Sequence, residues 1–286
     1  MFEFPRHDFP PDLPVAAGRD VFNDEQVDNG TMTVFDIETG PAPEEELRRF
    51  YKPPDVKPFR EADAKTGNLK DPQKIAAKME SARAKHEARE KEAVQGRWRE
   101  FVDAAPLSAM VGRVLAIGYY RDDREPFLDC VDPRQPGDGE AALLQTFWDY
   151  ARFCKVRDVS LCGHSIQRFD LPFLCQRSWL HGVEIPDFVC DWRGYIHSMF
   201  VDLFDCWTFH GRKTESKPLP ARSLNPLAVF FGAGRKPDNC SGATFHRLFL
   251  SADADDHRAA LDYLRNDLEM TWGVAAAMNL VNYTIR

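Results

Sequence analysis

The segment Val34-Phe35-Asp36-Ile37-Glu38-Thr39-Gly40 is the best indication of the architecture, because it combines a strand-forming run with two carboxylates. In a strand, alternate residues share one face, so Asp36 and Glu38 point the same way while Phe35 and Ile37 point the other way. We therefore expect a strand that packs against the core through its apolar side chains. Its other face presents two acidic groups side by side.

Two further acidic motifs follow the first along the chain. Asp170 ends the motif Gly163-His164-Ser165-Ile166-Gln167-Arg168-Phe169-Asp170, and Tyr263 and Asp267 lie four residues apart near the C-terminus. On a helix, residues four apart share a face, so we expect Tyr263 one turn from Asp267. Acidic residues this far apart in sequence form a divalent-metal site only where a fold gathers them. Oxygen ligands suit Mg²⁺ or Mn²⁺, whereas zinc sites use His and Cys clusters that this sequence lacks.

The three motifs, taken together and in this order, resemble those of the DEDD 3′–5′ exonucleases. That group belongs to the ribonuclease H-like superfamily and includes the proofreading domains of DNA polymerases. The Tyr-x-x-x-Asp motif resembles the DEDDy branch; the DEDDh branch has His five residues before the last Asp, where this chain has Asp262. Within the branch, the chain is most similar to stand-alone proteins related to the exonuclease domain of family B DNA polymerases. The resemblance runs from about Thr31 to the C-terminus and is interrupted by an insertion.

The resemblance implies a fold and a set of catalytic roles. The fold is α/β, with a ribonuclease H-like mixed sheet flanked by helices and a charged helical insertion after the first strand. Asp36 bridges two divalent cations, Mg²⁺ or Mn²⁺, and Glu38 and Asp267 complete the site that holds the attacking water. Asp170 serves the second cation through its water shell, and Tyr263 orients the water by a hydrogen bond.

The resemblance also implies a substrate, namely a single-stranded nucleic acid with a free 3′ end, with DNA favoured over RNA. Nucleoside 5′-monophosphates are the expected products, and a separate polymerase or a replication or repair factor is a further expected partner. Candidate substrate contacts are Thr39, His164, Ser165 and Phe169. The family has Asn where this chain has Ser165, whose hydroxyl reaches less far, so contacts with the terminal nucleotide are expected to differ.

Two alternative functions stay open. The first is the same chemistry on RNA, because nothing in the sequence reads out the 2′-hydroxyl group. The second is a catalytically silent ribonuclease H-like module that binds nucleic acid, whose expected signature is the loss of an acidic position. Taken singly, each residue also has a structural interpretation: Asp170 suits the first turn of a helix, and Asp267 can pair with Arg265.

Composition agrees with an enzyme of this kind. A chain of 286 residues with 43% hydrophobic residues can bury the core of one large domain. A net charge of −8 argues against a basic-patch duplex binder, yet little against a nuclease whose bound cations invert the local field. The seven cysteines form no Cys-x-x-Cys pair, and no apolar run is long enough to span a bilayer. The start of the chain also lacks a signal-peptide layout, so we expect a cytoplasmic, bacterial or phage-type protein without a membrane partner.

The domain organisation predicted from the sequence has three parts. An N-terminal arm covers residues 1–30, and one exonuclease-like domain covers 31–286. An insertion over about 42–105 carries a charged helical stretch at about 71–102. We favour a solvated amphipathic helix or helical hairpin that lies on the domain, and the alternative is a basic arm that guides single-stranded nucleic acid. That arm would use Arg48, Arg49, Lys52, Lys70, Lys74 and Lys78.

The remaining sequence predicts an alternation of strands and helices, which favours an α/β fold. Strands are expected at 111–121, 126–131 and 159–162, with a further short element at 201–204. Helices are expected at 137–154, 167–182, 224–231, 244–250 and from about 256 toward 282. Two basic loops, 210–218 and 232–237, are either phosphate contacts or solvated loops, and we leave them out of the catalytic set.

Overall fold

The computed structural model of the protein describes residues 32–64, 71–121, 124–135, 139–190, 194–210, 223–237 and 240–281. The predicted N-terminal arm lies outside these residues. Within them the chain forms an α/β fold, in which a long helix follows the first strand of a mixed sheet. No helix of the part described is long and apolar enough to cross a membrane.

Five strands form the sheet, in the order β3-β2-β1-β4-β5. Strand β1 is central; it runs antiparallel to β2 and parallel to β4, while β3 is antiparallel to β2 and β5 is parallel to β4. The predicted mixed sheet is therefore confirmed, and the arrangement is consistent with a ribonuclease H-like fold. The strands are β1 (Met32–Pro41), β2 (Gly112–Tyr120), β3 (Phe127–Cys130), β4 (Ser160–Gly163) and β5 (Phe200–Asp202).

The predicted helices are all present in the predicted order, with boundaries that differ by up to five residues, and two short helices, Glu44–Phe50 and Leu203–Thr208, were not predicted. α4 begins at Asp170 rather than 167, because the preceding turn holds Ser165 in the left-handed region at φ 63°. α8 ends at Ala277 rather than near 282, and Asn279, at φ 58°, takes the left-handed conformation typical of helix ends. The helices are α1 (Glu44–Phe50), α2 (Pro72–Ala104), α3 (Glu140–Val156), α4 (Asp170–His181), α5 (Leu203–Thr208), α6 (Leu224–Phe231), α7 (Gly242–Phe249) and α8 (Ala254–Ala277).

Helices cover both faces of the sheet, and the side chains of the central strands show which helix covers which face. Phe35 of β1 packs on Phe147 of α3, with 5.2 Å between ring centroids. Gly118 of β2 pairs with Asp36 and faces α8, since a Cβ placed on it would lie 2.6 Å from Leu268. The acidic face of β1 is therefore the face that α8 covers.

A buried ion pair fixes α3 and α4 to the sheet. The carboxylate of Glu140 accepts hydrogen bonds from the Arg177 guanidinium (2.6 and 2.8 Å) and from the backbone N–H of Val114 in β2 (2.8 Å). Arg177 also donates to the carbonyl of Ala109 (3.1 Å). A buried pair of this kind is tolerated because its remaining polar atoms are satisfied. It holds α4, and with it Asp170, at a fixed position.

The insertion forms α2, a helix of 33 residues of which none is buried. Its N-terminus is capped by Asp71, whose side chain accepts from the backbone N–H of Gln73 (3.0 Å). Its C-terminus runs into a short 3-10 turn, Ala105–Leu107, where Ala105 joins a small apolar cluster with Leu47 and Val111. The predicted helical insertion is confirmed, and its base lies against the end of β1.

One glycine controls the approach of the second acidic motif to β1. A Cβ on Gly163 would lie 2.4 Å from Ile166 and 2.7 Å from the carbonyl oxygen of Phe35. We expect Gly163→Ala to lower the free energy of unfolding by about 1–3 kcal/mol, because the backbone carbonyl cannot move aside. Gly96→Ala, in open space within α2, should instead raise it by about 0.5–1 kcal/mol. Urea denaturation of both variants tests this, and equal stabilities would contradict it.

Candidate metal centre

Three of the four predicted carboxylates converge on one point. Asp36, Glu38 and Asp267 each offer an oxygen, and these atoms all lie within 4.8 Å of one another. β1 supplies the first two from its α8-facing side, and α8 supplies the third. The bare backbone of Gly118 lets α8 lie close enough to the sheet for this contact.

The pairing of β1 with β2 becomes irregular directly after Glu38. The register shifts between Glu38 and Thr39, which is a bulge of the kind found beside active sites. After it, Thr39 is buried and its hydroxyl donates to the carbonyl of Pro106 (2.8 Å). This hydroxyl therefore ties β1 to the base of the insertion, and the contact of Thr39 with substrate stays a prediction.

Asp170 lies beside the three converging carboxylates. It begins α4, is buried, and accepts a hydrogen bond from the backbone N–H of Ile37 (3.3 Å). β4 pairs with β1 only as far as Val34, so this N–H lies beyond the end of the ladder, where the Asp170 side chain takes it up. All four acidic positions of the three motifs are thus in one place.

The electrostatics of the site oppose ionisation of its carboxylates. Burial, followed by the charge of Asp267, raises the pKa of Asp36 to about 7. Burial also raises the pKa of Glu38 and of Asp170 well above their usual ranges, with the charge of Asp36 the next cause in both. The pKa of Asp267 is raised by burial too, although Lys236 opposes that shift. Like charges in a low-dielectric site favour the neutral form unless a cation joins them.

The residues present fit a divalent cation. Oδ1 of Asp267 is buried and has no hydrogen-bond partner among the described residues. Buried polar atoms rarely stay unpaired, and because Asp267 is one of the three converging carboxylates, this oxygen is available as a ligand atom. The donors are all oxygens, which hard cations such as Mg²⁺ and Mn²⁺ prefer.

Lys236 is the residue of this centre that the sequence analysis missed. It lies in the loop predicted to be exposed, yet its ammonium donates to the Tyr263 hydroxyl (2.7 Å) and forms an ion pair with Asp267. Asn225 fixes the backbone of this lysine by accepting its N–H (2.8 Å). No local sequence pattern predicts such a contact, because the lysine reaches the site from a loop between α6 and α7.

Tyr263 lies one helical turn from Asp267, as predicted, and is 2% exposed. Burial raises its pKa well above the usual value of 10, and the charges of Glu38 and Asp267 add to the shift. The phenol therefore stays protonated at neutral pH and acts as a hydrogen-bond partner rather than a base.

The predicted substrate-contact residues of the second motif surround a tight turn. Ser165 occupies its left-handed position, and the backbone N–H groups of Ser165 and Gln167 donate to the buried carboxylate of Asp202 (2.9 and 3.1 Å). His164 is half-buried, with its ring 6.1 Å from Phe204. Asp202 therefore holds this turn in place. The contacts of the turn with substrate stay predictions.

Phe169 lies next to Asp170 in the chain, and a cavity lies beside α8. Phe169 is half-buried and packs on Phe173 at 5.4 Å between ring centroids, and its contact with substrate stays a prediction. The cavity is open, has a volume of about 380 Å³ and reaches Tyr263. The cavity is lined by Arg235, Pro237, Asp255, Arg258, Ala259, Asp262, Tyr263 and Asn266.

Comparison with known proteins gives only a distant likeness. No protein-family model matches the chain, and no curated protein sequence matches it. A family B DNA polymerase from the hyperthermophilic archaeon Pyrobaculum calidifontis is among the solved structures that match, with a TM-score of 0.45 and 15% identity. The match covers 86% of this chain and 24% of that one, so the chain spans about a quarter of that polymerase. A likeness at this level carries no argument about function.

The raised pKa of Asp36 makes cation binding dependent on pH. Cations need the ionised carboxylate, so protons compete with them, and we expect Mn²⁺ affinity to rise as pH increases through about 7. Without cation, the folded state binds more protons than the unfolded state between 3.8 and about 7, so its stability falls as pH rises across that window. Calorimetric titration with Mn²⁺ and thermal unfolding at several pH values measure the two trends.

The variant Asp36→Asn separates this explanation from a general effect of pH. It should lose most Mn²⁺ binding and make the cation-free protein more stable at the alkaline end, because it removes a buried charge. Asp262→Asn is the matched control, since Asp262 is exposed on α8 and pairs with Arg265 (2.8 Å). If both variants keep the wild-type Mn²⁺ affinity, the assignment of the centre is wrong.

Proposed function

We propose that this protein is a metal-dependent 3′–5′ exonuclease that shortens single-stranded DNA and releases nucleoside 5′-monophosphates. The observation that carries the proposal is the convergence of Asp36, Glu38 and Asp267, with Asp170 beside them and one ligand oxygen left unpaired. An oxygen-only set of this kind suits cations that act on phosphate oxygens. Two such cations suit phosphodiester hydrolysis.

Each carboxylate has a proposed part in holding the cations. Asp36, Glu38 and Asp267 hold one cation, and Asp36 with Asp170 holds the other. When bound, the cations supply an activated water and neutralise charge on the scissile phosphate and the departing 3′ oxygen. The raised pKa values support this assignment, because they indicate a site that accumulates negative charge only when positive charge arrives.

Tyr263 and Lys236 supply the hydrogen bonds of the proposed reaction. Lysine has only donors, so the Tyr263 oxygen is the acceptor of their 2.7 Å contact, and the phenolic proton is directed to the carboxylate of Asp267. Tyr263 would then orient the attacking water. Lys236, which partly offsets the carboxylate charge, would turn toward the phosphate once cations occupy the site.

The polymer and its polarity are parts of the same proposal. An exonuclease must thread an unpaired end into its centre, which favours single strands. DNA is the proposed polymer and RNA is the alternative. A silent nucleic-acid-binding module is the rival from a different class, and the same assay decides among the three.

We expect the wild-type protein to shorten 5′-labelled single-stranded DNA from its 3′ end with Mg²⁺ or Mn²⁺ and not with EDTA. Asp36→Asn should lower the rate by about 10³-fold or more. The cations lower the activation free energy by several kcal/mol, and each 1.36 kcal/mol of activation free energy corresponds to about a tenfold change in rate. Asp262→Asn should leave the rate unchanged. A matched RNA strand identifies the preferred polymer, and a folded wild-type protein that degrades neither strand contradicts the proposal.

The role of Lys236 has its own test. Lys236→Met keeps much of the side-chain length and removes the charge, so we expect kcat to fall by about 10²–10³-fold, as for the loss of one preorganised donor. Mn²⁺ binding should be retained or tightened, because the ammonium no longer competes for Asp267. Lys236→Arg should recover part of the rate. A Lys236→Met variant with wild-type kcat would show that this lysine only balances charge.

A further inference from the structure

The insertion helix α2 presents a long surface that the domain does not use. None of its residues is buried, and above its base it is contacted by Tyr51, which donates to the carbonyl of Val94, and by the segment around Phe59. There His86 contacts the carbonyl of Lys57 (2.9 Å) and packs edge-on against Phe59. The other sides of the helix face solvent.

Four basic residues share one of the exposed sides, and we call them the basic row. At 3.6 residues per turn, their spacings of four, seven and four residues confine them to an arc of about 60°. From residue 72 to residue 91 no Asp or Glu falls in that arc, which Asp71 and Glu92 bound at its two ends. The acidic residues Glu80, Glu87 and Glu90 lie on the opposite side. The basic row consists of Lys74, Lys78, Lys85 and Arg89, all of them exposed.

Helix stability does not explain the basic row. Like charges four residues apart, such as Lys74 with Lys78 and Lys85 with Arg89, destabilise a helix by a few tenths of a kcal/mol. Lys74 pairs with the capping Asp71 at 3.8 Å, whereas the other three have no ion pair with the described residues. In a chain of net charge −8, such a segregated positive stripe is complementary to a polyanion.

The base of α2 joins this stripe to the candidate centre. Thr39, next to Glu38, donates to the carbonyl of Pro106 just beyond the helix, and Asp103 pairs with Arg247 of α7. At 1.5 Å per residue, the basic row starts about 22 Å from the end of α2 and extends about 22 Å further. Only a strand of several nucleotides can reach from the centre to the row.

We infer that the basic row binds the phosphate backbone of a single-stranded nucleic acid whose 3′ end lies in the candidate centre. The inference rests on the proposed function and adds a second contact surface to it. The row shares Lys74 and Lys78 with the basic arm that the sequence analysis kept as an alternative to a solvated helix, and it differs from that arm in its other members. Arg48 and Arg49 are paired with Glu44 and Glu45 within α1, and Lys70 lies outside the described residues.

The test compares two charge reversals on the same helix. Lys78→Glu with Lys85→Glu alters the basic row. Arg83→Glu with Lys91→Glu makes the same change in net charge on exposed positions outside it, at the cost of an Arg83–Phe59 ring contact (5.8 Å). Circular dichroism verifies that α2 stays helical in both.

Binding of a labelled oligothymidylate is measured by fluorescence anisotropy at several salt concentrations, in the Asp36→Asn background so that the strand stays intact. We expect the row variant to bind more weakly, and the slope of log affinity against log salt to shrink by about 1.4, that is about 0.7 for each lost phosphate contact. In the otherwise wild-type protein, the row variant should raise KM for a long strand and leave hydrolysis of a trinucleotide unchanged. The control pair should change none of these values.

The inference about the basic row is wrong if the two variant pairs have equal effects on binding or if neither has an effect. It is also wrong if the Asp36→Asn protein with an unaltered row does not bind the strand. Failure of the proposed function is seen separately, as a lack of 3′ shortening in the wild-type protein, while the anisotropy measurement still decides whether the row binds the strand.

Discussion

The repulsion among buried carboxylates is the constraint on which the rest of this structure depends. Three acidic oxygens within 4.8 Å, in a site removed from water, cost free energy that other contacts must offset. The fold accepts that cost by holding each carboxylate on a rigid element. β1 carries two of them in the centre of the sheet, and α8, which carries the third, packs Leu264 and Leu268 against the bare backbone of Gly118.

The second acidic motif is held by a different device, a polar network beneath a tight turn. The buried carboxylate of Asp202 collects the N–H groups of Ser165 and Gln167, which keeps the turn in its left-handed conformation. The Glu140–Arg177 pair fixes the rest of α4 against β2. The contacts on both sides of Asp170 along the chain therefore fix its position. Its carboxylate accepts the backbone N–H of Ile37, which lies beyond the end of the β1–β4 pairing. The centre is preorganised, so binding of a cation need not reorder the backbone.

The sequence predicted the parts of this arrangement that depend on local periodicity. Alternation in β1 placed Asp36 beside Glu38, and the four-residue spacing placed Tyr263 above Asp267, as the structure shows. The entry of Lys236 could not be predicted in this way, because a loop residue is positioned by tertiary contacts such as the one with Asn225 rather than by its neighbours in sequence. Helix limits were missed for a related reason, since positive φ angles ended or delayed helices that propensity alone would have extended. The basic row was not predicted either, because a count of the charges along α2 does not separate the basic side of the helix from its acidic side.

The energetics of the centre bear on the choice between an enzyme and a silent binding module. A module that only contacts a nucleic-acid backbone gains nothing from an unpaired Asp267 oxygen or from a half-buried Asp36 whose pKa is raised to about 7. Amide side chains of the same shape would satisfy the same space without burying charge, and the folded state would be more stable. Lys236 offsets part of the repulsion, yet it pairs with only one of the three converging carboxylates. An unpaired ligand oxygen and raised carboxylate pKa values are features that a cation-binding site would have, and they support the proposed metal-dependent activity over nucleic-acid binding alone.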